Sequence, residues 1–205
     1  MIGWLRDHPD VFLEALGQHL ALSAAGLLAG VALALPAALL LARRPVLAGW
    51  VSGGAGVLRT LPSLAVLAAL LPLLGVGFTP SVVALALLAL PPVLLHALVG
   101  LQGAEPAAVE AARGMGFTPL QSLLRVELPL ALPQVFAGLR TAAVQVVSGA
   151  ALATFIGGGG LGDLVTQGMA LLDTAQLLAG GSAIALLALG TEAGFGWLQR
   201  RWERA

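Results

Sequence analysis

From Leu20 to Ala42 the chain runs for 23 residues without a charge. As a helix that stretch measures about 34 Å, against a bilayer hydrocarbon core of about 30 Å, so it is long enough to cross. From Val46 to Gly103 only Arg59 is formally charged, a run too long for one crossing. Gly75-Val76-Gly77-Phe78-Thr79-Pro80 divides it with turn chemistry. The fold expected is all-α, a polytopic membrane protein of about five transmembrane helices at residues 20–42, 49–74, 81–101, 133–156 and 175–198. Residues 1–18 lack the basic start and apolar core of a cleavable signal peptide and form an extracytoplasmic N-terminal segment ahead of a membrane domain at 19–205. Hydrophobic residues make up 59% and charged residues 10%, where soluble domains carry about a quarter charged. Pro62, Pro91 and Pro92 lie inside the second and third spans. A proline there frees a carbonyl that neighbouring helices or water must satisfy, so these bends are expected to face protein rather than lipid.

Five crossings put the termini on opposite sides, and charge decides which side is which. With the N-terminus outside, Arg43 and Arg44, Arg113 and Arg125, and the tail with Arg200, Arg201 and Arg204 all fall in the cytoplasm, leaving only Arg6 outside. The polar loop at 103–132 is then cytoplasmic. Within it, Pro106 suits a first helical position, Ala107 to Met115 are mostly good helix formers, and Gly116 sits where a left-handed cap falls. Thr118 with Gln121 matches a capping box, and Pro119 takes the next first-turn position.

Glu110, Ala111 and Ala112, then three residues, Gly116, nine residues, Val126, one residue, Leu128 and Pro129 follow a known spacing. It resembles the EAA signature of the transmembrane subunits of binding-protein-dependent ABC importers, with Val126 where the family usually has isoleucine. Arg59 to Ala65, Gly114 to Gly116, Glu127 to Pro133, Ala137 to Ala142 and Ile156 to Gly162 are similar to the osmoprotectant branch, the permeases for glycine betaine, choline and carnitine. The resemblance covers most of the chain from His19 onward. It implies a permease in the cytoplasmic (inner) membrane, paired with a second copy or a paralogue, two ABC ATPase subunits and an extracytoplasmic solute-binding protein. It also implies that Glu110, Ala111, Ala112, Gly114, Gly116, Leu128 and Pro129 form the ATPase-coupling loop. A permease for another small solute, such as an amino acid derivative, stays open.

The chain has no lysine, so it cannot supply the P-loop lysine, and ATP and Mg belong to the partner ATPase. It has no cysteine, which removes disulfides and thiol-ligated metals; no metal site is expected. Its net charge is zero, which implies no nucleic-acid surface. Gly157, Gly159 and Gly162 satisfy G-x-G-x-x-G, but the strand and the ribose-binding acid are missing; a close-packed outer loop is the better reading. Neither H-E-x-x-H nor G-x-S-x-G occurs, which argues against an enzyme. A secondary transporter or channel fits the composition, but the odd number of spans, the lack of an inverted repeat and the structured loop speak against it.

Two further groups stand out. Arg59, Thr60, Pro62 and Ser63 place a charge, two hydroxyls and a proline in an apolar span, and are candidates for the translocation path, with back-bonding of the hydroxyls to the helix as the simpler alternative. The family more often has a neutral amide where Arg59 stands. Arg140 lies about 10 Å past Pro133 and Glu192 about 12 Å before Arg200, depths that match across antiparallel spans. They form a candidate buried ion pair, with Arg59 as the other possible partner of Glu192. His96 is expected to be packed rather than a proton relay, and His19 to be an interfacial anchor.

Overall fold

The computed structural model describes residues 1–202, so Arg204 of the cytoplasmic-tail argument lies outside the described residues. Every regular element among them is helical: α1 (Ile2–Asp7), α2 (Pro9–Leu41), α3 (Pro45–Thr60), α4 (Ser63–Leu74), α5 (Phe78–Gln102), α6 (Pro106–Gly114), α7 (Pro119–Ser122), α8 (Leu128–Gly149), α9 (Leu161–Ala170) and α10 (Thr174–Trp202). A π-helical turn at Leu123–Glu127 joins α7 to α8, and a 3₁₀ segment at Ala150–Ile156 continues α8.

The helix α5 is the axis of the bundle, packed between α2 and α8. Glycines allow the approach. A Cβ added at Gly30 of α2 would come within 2.6 Å of Ala89 Cβ and 2.9 Å of Ala86 O, and one at Gly138 of α8 within 2.7 Å of His96 Cβ and 2.9 Å of Pro92 O. Apolar surface gains nothing by leaving lipid for another helix, so close van der Waals packing over small residues has to hold such helices together. Pro91 and Pro92 are fully buried at this seam, so both prolines do face protein. His96 packs against Gly138 there.

Three expected boundaries are corrected. The division at residue 18 falls inside α2, because Pro9 occupies a first-turn position and nothing between it and Leu41 stops the helix except a tolerated Pro36. The second span over 49–74 is broken rather than merely bent at Pro62: α3 and α4 meet at 99°. Pro62 has no N–H to continue the ladder and drives Leu61 into the extended region (φ −71°, ψ 133°). Pro62 itself is exposed on the surface of the chain. The fourth span does not begin at Pro133. One near-continuous helix runs from Pro119 to Ile156, so the second half of the loop expected at 103–132 belongs to that helix.

Candidate functional site: a capped helix and the polar ties between spans

Helix α6 opens on Pro106 and ends in a Schellman motif. Phe117 N–H donates to Ala112 O at 3.1 Å, and Gly116 N–H to Arg113 O at 2.9 Å. Gly116 between them has φ +81°, a conformation that costs a residue with a side chain about 1–2 kcal/mol. The next helix starts at once on the capping box its spacing predicts: Thr118 N–H donates to Gln121 Oε1 at 2.8 Å, and Gln121 N–H to Thr118 Oγ1 at 3.3 Å. Two caps within five residues fix the angle at which α6 leaves the long helix.

On α6 only Ala112 is buried; Glu110, Ala111 and Gly114 are exposed, as is Gly116 just beyond it. The exposed set is small side chains around one carboxylate, a surface that another backbone can approach closely. Leu128 and Pro129 form the first turn of α8. Behind α6 lies a recess of about 660 Å³ into which Glu110, Arg113, Arg43 and Glu127 face.

Glu127 is the feature that reading the sequence missed. It is only 8% exposed, accepts from Arg43 Nη2 at 2.8 Å and from Ser122 Oγ at 3.0 Å. This polar knot ties the C-terminal end of α2 to the π-turn at the root of α8. Arg43 is 84 residues away in sequence, and no local pattern announces such a pair. His19 is a second omission. It is fully buried rather than interfacial, its Nε2 lies 3.0 Å from Val147 O, and it ties α2 to α8 nearer their other ends. The neighbouring Gln18 Oε1 accepts from Gly160 N–H at 3.0 Å. The glycine segment therefore packs closely, with a Cβ at Gly160 meeting His19 Cα at 3.2 Å; Gly157, Gly159 and Gly160 all have positive φ.

The structure brings Arg140 and Glu192 together. Arg140 Nε donates to Glu192 Oε1 at 2.8 Å, and Nη2 makes a closer contact with the same oxygen. Gly196, one turn beyond Glu192, leaves space for the guanidinium: a Cβ there would sit 3.4 Å from Arg140 Cζ. The pair is not buried as expected, since the two side chains are 36% and 42% exposed in the chain alone. The pair bridges α8 and α10, which pack against one another, from a half-exposed position. Glu192→Gln and Arg140→Gln should each lower the thermal stability of the detergent-solubilised protein, and the double variant should cost clearly less than the sum. Additive losses in melting temperature would show that the two groups act independently.

Arg59 and Thr60 end α3, Pro62 makes the corner with Leu61, and Ser63 opens α4. Arg59 and Thr60 are exposed and Ser63 half-buried. Thr60 Oγ1 donates to Val57 O at 2.8 Å, so its hydroxyl does back-bond to the helix while remaining accessible. Arg59 does not pair with Glu192, whose carboxylate is taken by Arg140. Among the described residues no cluster of histidine and acidic side chains could hold a metal.

A bundle of spanning helices with a capped, outward-facing helix at one end of the longest span is the architecture of a transport permease. Residues 26–204 match the family described as the binding-protein-dependent transport system inner membrane component, and the chain belongs to that family of multi-pass inner-membrane proteins. The carnitine transport permease protein OpuCB of Listeria monocytogenes is 41% identical over 201 residues, covering 98% of this chain and 92% of that one. The glycine betaine/carnitine/choline transport system permease protein OpuCB of Bacillus subtilis (strain 168) is 36% identical, covering 92% and 87%. In fold, an inward-facing crystal structure of the MetNI methionine ABC transporter superposes with a TM-score of 0.85 at 23% identity, over 94% of this chain and 96% of that one.

Proposed function

We propose that the chain is the membrane-spanning subunit of an importer for a small quaternary amine, of the kind represented by glycine betaine, choline and carnitine, driven by ATP hydrolysed on a separate subunit. The observation that carries the mechanism is the exposed α6, locked by two caps onto the root of the long helix. The solute class rests on the relatives at 36–41% identity that are named for these compounds. A permease for an amino acid derivative has less support, because the methionine transporter shares the fold at 23% identity only.

In this reading the N-terminus lies outside, and α6 and the C-terminus lie in the cytoplasm. Glu110, Ala111, Ala112, Gly114 and Gly116 meet the ATPase, while Leu128 and Pro129 anchor the helix that receives the push. ATP and Mg are held by the two ATPase subunits, and a solute-binding protein delivers the solute from outside. A second permease subunit, identical or a paralogue, completes the path beside Arg59, Thr60, Pro62 and Ser63. Closure of the ATPase pair would move α6 and, through it, the spans, which is the rigid-body route to alternating access.

The test is reconstitution of the complex in lipid vesicles with its ATPase and binding protein. Glycine betaine, carnitine or choline should raise ATP hydrolysis and enter only when ATP is supplied. Uptake that follows an ion gradient and ignores ATP would instead establish a secondary transporter.

A further inference from the structure

Arg59 is the only charged side chain between Val46 and Gly103, about 21 Å along α3 from Pro45. It has no hydrogen-bond or ion-pair partner among the described residues, unlike Arg43 and Arg140. An arginine in an apolar span is costly to insert, so it needs either a counter-charge or water. It lines a cavity of about 160 Å³ in the angle between α3, α4 and α5, room for about five waters at liquid density. Gln145 of α8 is the other polar residue on its wall. The remaining walls are aliphatic: Leu58 and Leu61 at the corner, Leu87 and Pro91 on α5.

The chemistry of these walls is one-sided. A guanidinium offers a planar fork of donors that matches a carboxylate, and the Gln145 amide can donate beside it. A quaternary ammonium is held by aromatic faces, and none lines this cavity. Its methyl groups find only aliphatic neighbours here. The cavity can therefore recognise the acid end of a zwitterion by a charge-assisted fork, whereas a quaternary amine that ends in a hydroxyl has only weaker hydrogen bonds to a neutral oxygen to offset the like charge.

Resting on the quaternary-amine reading above, we propose that Arg59, with Gln145, is a carboxylate subsite on the translocation path that favours glycine betaine or carnitine over choline. Selection would then occur twice, once in the binding protein and once in the membrane.

The experiment uses the reconstituted complex with a binding protein loaded to saturation with glycine betaine or with choline in turn, so that delivery is equal. ATP-driven uptake is compared for the unaltered chain, Arg59→Gln, Arg59→Lys and Gln145→Leu. Arg59→Gln should lower glycine betaine uptake about ten- to a hundredfold, the worth of a charge-assisted hydrogen bond, and leave choline uptake equal or higher. Arg59→Lys, which keeps the charge without the fork, should keep most of the preference, and Gln145→Leu should weaken it less than Arg59→Gln does. An unchanged ratio of the two solutes in Arg59→Gln overturns the subsite. Equal loss of both would mean that Arg59 instead pairs with an acidic group on the second permease subunit or on lipid. If neither solute enters the unaltered complex with ATP, the quaternary-amine reading itself fails and the subsite falls with it.

Discussion

Gly114→Leu and Glu110→Lys should each reduce ATP-driven uptake by at least about thirtyfold, the scale of losing a central contact in an interface, while the chain still folds and inserts. Gly114 is the decisive position. It is the last residue of α6, its φ is not positive, and a Cβ there meets nothing within 4 Å, so a leucine strains no backbone and displaces no neighbour. Its side chain would project only from the exposed face. Glu110 is likewise exposed, and reversing its charge removes nothing from the interior. Gly116 is less informative, because its φ of +81° makes any larger residue destabilise the cap as well as enlarge the surface. The readouts are uptake, co-purification of the ATPase, and the melting temperature of the permease alone. Loss of uptake and of co-purification with an unchanged melting temperature identifies α6 as the docking element; near-normal uptake in both variants would show that the ATPase binds elsewhere.

The second large effect is expected at Glu127. Arg43→Gln leaves a carboxylate that is 8% exposed with only Ser122 for a partner. Removing one member of a buried pair costs about 3–5 kcal/mol. Arg43 is 36% exposed, and water or headgroups can compensate in part, so about 1–3 kcal/mol is the better figure. For a chain of this size that is a fall of several degrees in melting temperature, at roughly 2–4 °C per kcal/mol. Replacing both residues with methionine should restore much of the loss, because neither charge is then stranded. Uptake should not recover in the double variant if the knot also keeps the C-terminal end of α2 moving with the root of α8. Full recovery of uptake would assign the knot to stability alone.

What could be read in advance divides along physical lines. Apolar run length fixes where helices can cross, and capping chemistry is local, so the helical class and the Thr118–Gln121 box are visible in a few consecutive residues. Arg140 and Glu192 were reachable because a charge in an apolar span must be compensated and the depths are simple arithmetic. Prolines misled in both directions. Pro62, expected to bend its span against protein, breaks the helix and turns the chain by 99°, whereas Pro133, expected at a boundary, sits inside α8. At Pro133 the helix lies against α5, where Gly100 meets Ala131; at Pro62 the chain is exposed. The Arg43–Glu127 and His19–Val147 contacts join residues 84 and 128 apart and exist only once α2 and α8 are packed.

The near-continuous helix from Pro119 to Ile156 also has a mechanical meaning. Its 38 residues span about 57 Å at 1.5 Å per residue, and its middle rests on α5. A stiff beam supported near its centre acts as a lever. Tilting it by about 10° would carry each tip some 5 Å in opposite directions, with no change in its internal hydrogen bonds. One tip carries α6, and the other runs straight into Gly157. A displacement applied at the α6 tip would therefore reach the far one as motion of the glycine segment, reversed in sign and reduced by whatever the π-turn at Leu123–Glu127 and the 3₁₀ segment at Ala150–Ile156 absorb.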